Sequence, residues 1–289
     1  MRIDVVMPTW NSNGPYFEIV IKRIVDNISI NKFILVDRYS TDGTIDVVKK
    51  LIPSEKLIII QTSADLALAR AIGIKHVNTE IFAFMDSDVL LPRNLNIEKL
   101  CKILKLDKRI GALSLPLCAS RKRVANMMQI GRVLKRYGEV SDPEIIKHGL
   151  FRLTSGDLFF TLLRRDAVQD WHPPHTLSAL EIFSLTQHIL AKGYLWIELA
   201  EPCLYHLKEL RYGTGIRRCI KQGLWTGSNV HLIKIRQKHF FLEVFSRLFG
   251  GTLKSILSRD PMGTLNNAFF RIGYLIGYLS RTRYRVWIR

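Results

Sequence analysis

Cysteines, long uncharged apolar runs and C-terminal acids are all scarce in this sequence. The four cysteines among 289 residues, Cys101, Cys118, Cys203 and Cys219, form no C-x-x-C pair. Their spacing excludes a zinc ribbon or a thioredoxin-like motif and predicts free thiols in a reducing compartment. No stretch of about 18 apolar residues is free of charge, so no transmembrane helix is predicted. The opening MRIDVVMPTW is too short an apolar run for a secretory signal and leads straight into a loop-like segment. A cytoplasmic location is therefore expected.

The shortage of acids is local. From His206 to Arg289 there are 16 Lys and Arg against 3 Asp and Glu, a net of +13 within a total of +18. The first 205 residues hold 27 against 22, only +5. An anionic surface, membrane or nucleic acid, is the partner implied for the C-terminal region. What remains is ordinary: 47% apolar and 24% charged residues describe a globular protein, not a disordered one. The length suits one sizeable core with a smaller second domain.

Along the N-terminal half, strand-like and helix-like stretches alternate. IDVVMP (Ile3 to Pro8), KFILVD (Lys32 to Asp37), LIII (Leu57 to Ile60) and IFAFMD (Ile81 to Asp86) read as strands. Between them, Tyr16 to Ile28, Thr44 to Leu51 and Leu66 to Val77 read as helices; the first has Phe17, Val20, Ile21, Ile24, Val25 and Ile28 at amphipathic spacing. Such alternation predicts parallel βαβ units with both sheet faces covered. Further on, residues 111–117 and 158–164 look like strands and residues 119–140 like a basic helix. Ser178 to Lys192 looks like a helix ending at Gly193, followed by the strand YLWIELA. In the C-terminal region Phe241, Val244, Phe245, Leu248 and Phe249 share a helical face. The stretch Phe269 to Leu279 is strongly apolar with flanking arginines.

Open α/β sheets bind ligands beyond the carboxyl ends of their strands. Thr9 to Asn13, Asp37, and the pair Asp86 and Asp88 fall at three such ends. Two carboxylates closing an apolar strand would repel and resist burial unless the strand reaches a cleft where a cation lies between them. Hard divalent cations take oxygen ligands, and Mg²⁺ is typically held by one or two carboxylates plus substrate phosphates. In extended backbone Asp86 and Asp88 would point to one side and Ser87 to the other.

Taken in order, PTWNSN (Pro8 to Asn13), VDRYSTDGT (Val36 to Thr44), ALARAIGIKHVNTEIFAFMDSDV, ALEIFSLTQHILAKGYLWIE and CLYH resemble the motifs of family 2 glycosyltransferases of the GT-A fold. The resemblance covers about residues 3–206. It implies a Rossmann-like, mostly parallel sheet flanked by helices over residues 1–205. The charge and interleaved aromatics of residues 206–289 point instead to a helical, basic, membrane-associating region. The resemblance implies transfer of a sugar from a UDP- or GDP-sugar, with inversion, in glycan or polysaccharide biosynthesis. Pro8, Thr9, Asn11, Asp37, Arg70 and Asp86 would bind the donor. Asp86, Asp88 and His206 would hold Mg²⁺ or Mn²⁺ on its diphosphate.

Two positions depart from the family pattern. Arg38 replaces an aspartate that commonly reads the base, with Tyr39 in place of the following glycine. Ile182 stands where the catalytic base is often found, leaving Glu181 or Asp157 as candidates, or an acceptor that needs no base. A polyprenyl phosphate, already ionised near neutral pH, is such an acceptor; a lipid-linked glycan is the other one expected. The basic, aromatic C-terminal region suits the cytoplasmic face of an anionic membrane. It holds no recognisable nucleic-acid module, so nucleic acid is not an expected partner. A non-catalytic nucleotide-sugar or nucleic-acid binding protein on the same fold is the competing class.

Overall fold

The protein is described by a computed structural model over residues 1–93, 95–117, 151–153, 158–174, 177, 180–199, 202–207, 219–220, 223–224, 226–227 and 261–280. The expected helix over residues 119–140, the Phe241 to Phe249 face and Asp157 lie outside these residues.

The chain begins as the alternation predicts: β1 (Ile3–Thr9), α1 (Phe17–Asn27), β2 (Ile30–Asp37), α2 (Thr44–Leu51), β3 (Leu57–Gln61), α3 (Leu66–Ile74) and β4 (Ile81–Met85). There follow β5 (Val89–Leu90), α4 (Ile97–Leu106), β6 (Ile110–Ser114), β7 (Phe151–Leu153), β8 (Phe160–Arg164), α5 (Arg165–Val168), α6 (Glu181–Ala191), β9 (Leu195–Leu199), β10 (Tyr205–His206) and α7 (Pro261–Ser280). Among the described residues eight strands form one sheet in the order β3-β2-β1-β4-β8-β6-β9-β7. The pairs β1/β2, β2/β3, β1/β4 and β6/β9 are parallel, whereas β8 runs against β4 and β6, and β7 against β9.

Every residue of β1 and β4 is buried. Uninterrupted apolar strands are what a parallel sheet requires, because helices cover both faces. One face packs Val5, Met7, Leu35, Ala83 and Met85 against Val20, Ile21 and Ile24 of α1 and Leu100 and Leu104 of α4. At the amino end of β1 the fully buried Asp4 is satisfied locally. It accepts hydrogen bonds from the Asn31 side chain (2.8 Å) and from the backbone N–H groups of Lys32, Asn78 and Thr79 (3.0, 2.7 and 3.0 Å). This carboxylate fastens the start of β2 and the turn before β4, at the opposite end of these strands from Asp37 and Asp86.

Three expectations change. The strand carrying Ile81 stops at Met85, and Ser87 and Asp88 form a turn before β5, so extended geometry does not persist through Asp88. Asp86 N–H still bonds the Phe159 carbonyl (3.0 Å), one pair beyond Met85–Phe160, and Leu207 N–H bonds the Asp88 carbonyl (2.8 Å), one pair beyond His206–Val89, so the turn lies between the end of one ladder and the start of the other. Cys203 is disulfide-bonded, while Cys101 and Cys219 are free, so the expectation of free thiols fails at Cys203. Finally, α4, β5, β7, α5 and β10 are additional to the elements expected from the sequence.

The chain forms two compact units: Met1–Pro173 with Ile182–Arg211, and Pro174–Glu181 with Tyr212–Arg289. Within the second, α7 carries Gly273 and Gly277, and a methyl at either would overlap the carbonyl of Ile220 or Leu224. Glycine is needed there because two backbones approach closely. On its other side α7 exposes Leu265, Ile272, Leu275 and Ile276. Among the described residues no helix is long and apolar enough to cross a membrane.

Candidate active site

The carboxyl ends of β1, β2 and β4 bring together most of the side chains singled out in the sequence. Thr9, the last residue of β1, lies in register with Asp37, the last residue of β2. The Thr9 hydroxyl donates to Asp37 Oδ1 at 2.8 Å, and the Ser40 backbone N–H donates to Asp37 Oδ2 at 2.8 Å. Asp37 is wholly buried, and these bonds offset the desolvation of its charge. Pro8 is also buried, paired with Val36, and shapes the strand end rather than offering a polar group.

Beyond β1 the loop clasps the loop beyond β2. Asn11 N–H donates to Ser40 Oγ (2.8 Å), and Asn11 Oδ1 accepts from Thr41 N–H (2.9 Å). Asn13 N–H donates to Asp42 Oδ2 (2.8 Å), and Asp42 Oδ1 accepts from Thr44 N–H (3.1 Å), closing the first turn of α2. Asn11 and Tyr39 hold φ of 45° and 49°. Tyr39 thus takes the left-handed conformation that the resembled motif fills with glycine, at a cost on the order of 1–2 kcal/mol. Strain of this kind persists only where the surroundings over-determine it, and here the double clasp does so.

At the end of β4, Arg70 of α3 is only 1% exposed and reaches Asp86, its Nη2 standing 2.6 Å from Asp86 Oδ1. Its guanidinium also lies 5.8 Å from the Phe84 ring. Two residues on, Asp88 Oδ2 is 3.4 Å from His206 Nε2, both side chains being about a fifth to a quarter exposed. The pairing of β5 with β10 holds them together by setting His206 opposite Val89. The His206 ring packs against Phe159, with ring centres 5.1 Å apart. Ser87 Oγ lies 3.0 Å from Ser12 Oγ, joining the β4 turn to the β1 loop.

The structure therefore groups Thr9 with Asp37, Arg70 with Asp86, and Asp88 with His206. Asp86, Asp88 and His206 do not form one three-ligand group: among the described residues no three His, Cys, Asp or Glu side chains converge to hold a metal ion. Glu181 opens α6, at the start of a helix shorter than the Ser178 to Lys192 span expected.

Other side chains at this edge have weaker sequence signals. Trp10 follows Thr9, and the Arg38 guanidinium lies 5.8 Å from its ring. Arg38 Nη1 is 3.1 Å from Asp65 Oδ1. Asp65 precedes α3 in the N-cap position, yet its side chain caps no helical N–H. Nothing in local sequence separates it from an ordinary cap. Ser12 and Ser40 lie within the motifs but are common loop residues.

A family model described as Glycosyl transferase family 2 matches residues 4–171. No curated protein matches the chain. Among solved structures, the mannosyltransferase PcManGT from Pyrobaculum calidifontis, in complex with GDP-Man and Mn²⁺, is 16% identical. That alignment covers 96% of this chain and 87% of the other, with a TM-score of 0.64. TarS residues 1–349 from S. aureus is 17% identical over 97% of this chain and 91% of the other, with a TM-score of 0.53. Its complex with UDP-GlcNAc has the same identity and coverage and a TM-score of 0.52. At these identities the structural likeness establishes the shared fold, the GT-A fold of glycosyltransferases. The motif order, the α/β sheet with its acidic carboxyl edge, and a family match over more than half the sequence agree: the chain belongs to glycosyl transferase family 2 and is a glycosyltransferase.

Proposed function

We propose that the chain moves a sugar from a nucleotide-sugar to a lipid phosphate or lipid-linked glycan, with inversion at the anomeric carbon. The observation that carries this reading is the Asp86-Ser87-Asp88 turn at the end of β4, with Arg70 on one carboxylate and His206 beside the other. Thr9, Asn11 and Asp37 serve the nucleoside at the neighbouring strand ends.

The donor set at Asp88 and His206 suits a divalent cation. A carboxylate oxygen and an imidazole nitrogen, held on paired strands and partly exposed, match Mn²⁺ better than Mg²⁺, which prefers oxygen alone. Asp86 is committed to Arg70, so Asp88 and His206 are the residues that would hold the ion, with diphosphate oxygens as its other ligands. What the ion supplies is charge compensation on the leaving nucleoside diphosphate. Arg70 fixes the orientation of Asp86, which makes it a positioning residue.

On the acceptor side Ile182 cannot take a proton. A phosphate monoester acceptor removes that need, since its oxygen is already anionic near neutral pH. Glu181 and Asp157 are the candidate bases should a hydroxyl be the acceptor. Residues 206–289, with net charge +13, would bring the enzyme to the anionic cytoplasmic face of a membrane, where such lipids lie. The exposed aliphatic side of α7 supports contact with that surface.

Incubating the full chain with labelled UDP- and GDP-sugars, Mn²⁺ and polyprenyl phosphate tests the proposal. The expected result is a labelled lipid product that is lost on chelation. Release of label into water alone, or no turnover with any donor, counts against it.

A further inference from the structure

From the grouping of Trp10, Arg38 and Asp65 we infer that this chain selects guanine as the base of its donor. The inference rests on the nucleotide-sugar reading above and adds the identity of the base. These three side chains follow β1, follow β2 and precede α3, so they gather at one edge of the sheet beside the Thr9–Asp37 pair.

The charge at Arg38 is the starting point. A cation here reverses the acidic residue that the resembled motif carries, and a reversal left uncompensated would change what the site can bind. Compensation comes from Asp65, whose Oδ1 accepts from Arg38 Nη1 at 3.1 Å. Asp65 stands in an N-cap position without capping, although a capping aspartate ordinarily contributes about 1 kcal/mol. Its carboxylate is instead held by Arg38, whose guanidinium also faces the indole of Trp10 at 5.8 Å. Arg38 is thereby restrained from two sides, and Asp65, with a side chain only 8% exposed, from one.

Such a pair offers N–H donors next to carboxylate acceptors, beside a flat aromatic surface. Guanine presents a carbonyl, a ring N–H and an exocyclic amine in a row along one edge. Its carbonyl suits Arg38, and its two adjacent donors suit the carboxylate of Asp65. Uracil has a single N–H between two carbonyls, so one carbonyl would be turned toward the carboxylate. Adenine has the amine but no carbonyl for Arg38. Guanine is the base that satisfies both charges without repulsion.

The test is calorimetric binding of GDP, IDP, UDP and ADP, each with Mn²⁺, to the full chain and to Asp65→Asn and Arg38→Ala, with thermal melts to verify folding. GDP should bind roughly tenfold or more tighter than UDP, the scale of one charge-assisted hydrogen bond. IDP, which lacks the exocyclic amine, should fall between them. Asp65→Asn should shrink the GDP preference from both sides, weakening GDP as the charged acceptor is lost and leaving UDP bound as well or better, because the amide can donate to the uracil carbonyl that the carboxylate repels. If Arg38→Ala unfolds the protein, Asp65→Asn and the IDP comparison still decide. Tighter binding of UDP or ADP than of GDP, or equal losses for all bases in Asp65→Asn, would overturn the inference and leave the nucleotide-sugar reading intact. Binding of none of the four would overturn both.

Discussion

The two compact units handle exposed surface in opposite ways. In the first, exposed large apolar residues are scattered: Tyr16, Ile19, Val25, Tyr39, Leu106 and Tyr205 lie on separate elements or separate turns. In the second, α7 alone exposes Leu265, Ile272, Leu275 and Ile276, with Leu265, Ile272 and Ile276 at i, i+7 and i+11 on one helical face. Isolated apolar residues on a surface need no explanation, but a contiguous patch marks an interaction site. Polar burial differs just as sharply. The first unit buries Asp4, Asp37 and Arg70, each with a partner, and the last two lie at the carboxyl edge of the sheet. The second holds α7 through glycines against another backbone. Among the described residues, one unit concentrates its polar chemistry inside, where groups are positioned; the other presents an apolar helix face outward.

The comparison breaks most visibly if Asp88 is removed. Asp88 is partly exposed and belongs to a turn, so Asp88→Ala should shift the melting temperature little. Activity should fall at least 10²-fold, the scale of losing one electrostatic contact to a developing charge. Turnover measured over a range of Mn²⁺ concentrations checks this. Full activity in the variant would place the cation elsewhere and would make the β4 turn a structural feature only.

Gly277→Ala probes the other unit by stability rather than chemistry. Helix propensity alone predicts a gain of roughly 1 kcal/mol for alanine. The added methyl would overlap the Leu224 carbonyl, and backbone atoms cannot rotate aside as a flexible side chain can. Overpacking typically costs about 1–3 kcal/mol, so destabilisation should win. Amide exchange should quicken in α7, while β1 and β4 keep their protection. Unchanged or slower exchange in α7 would mean that the two backbones are not held at that distance.

Weaker still is the expected effect of salt. Liposomes containing anionic lipid should retain the full chain at low ionic strength and release part of it as salt rises, since exposed charges are screened over about 10 Å at 0.1 M. Truncation after Tyr212 should abolish retention. Equal retention on neutral and anionic liposomes would assign the binding to the α7 aliphatic face alone.

These contrasts also govern what could be read from the sequence. The α/β alternation from Ile3 to Met85 was legible because strands covered on both faces are nearly continuous apolar runs, the charge of Asp4 in β1 falling at the strand's amino end. Asp37, Asp86 and Asp88 were conspicuous for the same reason, as carboxylates closing apolar runs. α4 carries a signal in the helical spacing of Ile97, Leu100, Cys101 and Leu104, reinforced by Asn96, whose side chain caps Lys99 N–H at 2.9 Å. β5 and β10 are two residues each and carry no periodicity, so the proximity of His206 to Asp88 is a product of pairing distant segments. The Arg38–Asp65 pair is of that kind too: Arg38 was visible as a departure, but its partner lies 27 residues away. Local pattern finds strands and motifs; contacts made between loops are decided by the assembled sheet.

Smallest of all is the effect expected at Glu181, and its smallness is the point. A hydroxyl acceptor must lose a proton as it attacks, and a positioned base contributes typically about 10²–10⁴-fold. A phosphate monoester acceptor has no such proton to lose. Ile182 supplies no base, and Glu181 is the nearest carboxylate in the chain. On a helix, successive residues point about 100° apart, so Glu181 does not substitute for its neighbour by position. With polyprenyl phosphate as acceptor, Glu181→Gln should therefore change kcat by less than about twofold, far below the contribution of a general base. The pH–rate profile should also keep its shape, because no proton transfer at residue 181 enters the step. With a lipid-linked glycan as acceptor the outcome reverses: a carboxylate must act, and Glu181→Gln or Asp157→Asn should cost the full factor. Measuring both variants against both acceptors sorts the cases. A large loss with the phosphate acceptor would show that a carboxylate is needed even there, and the base-free account of Ile182 would fail.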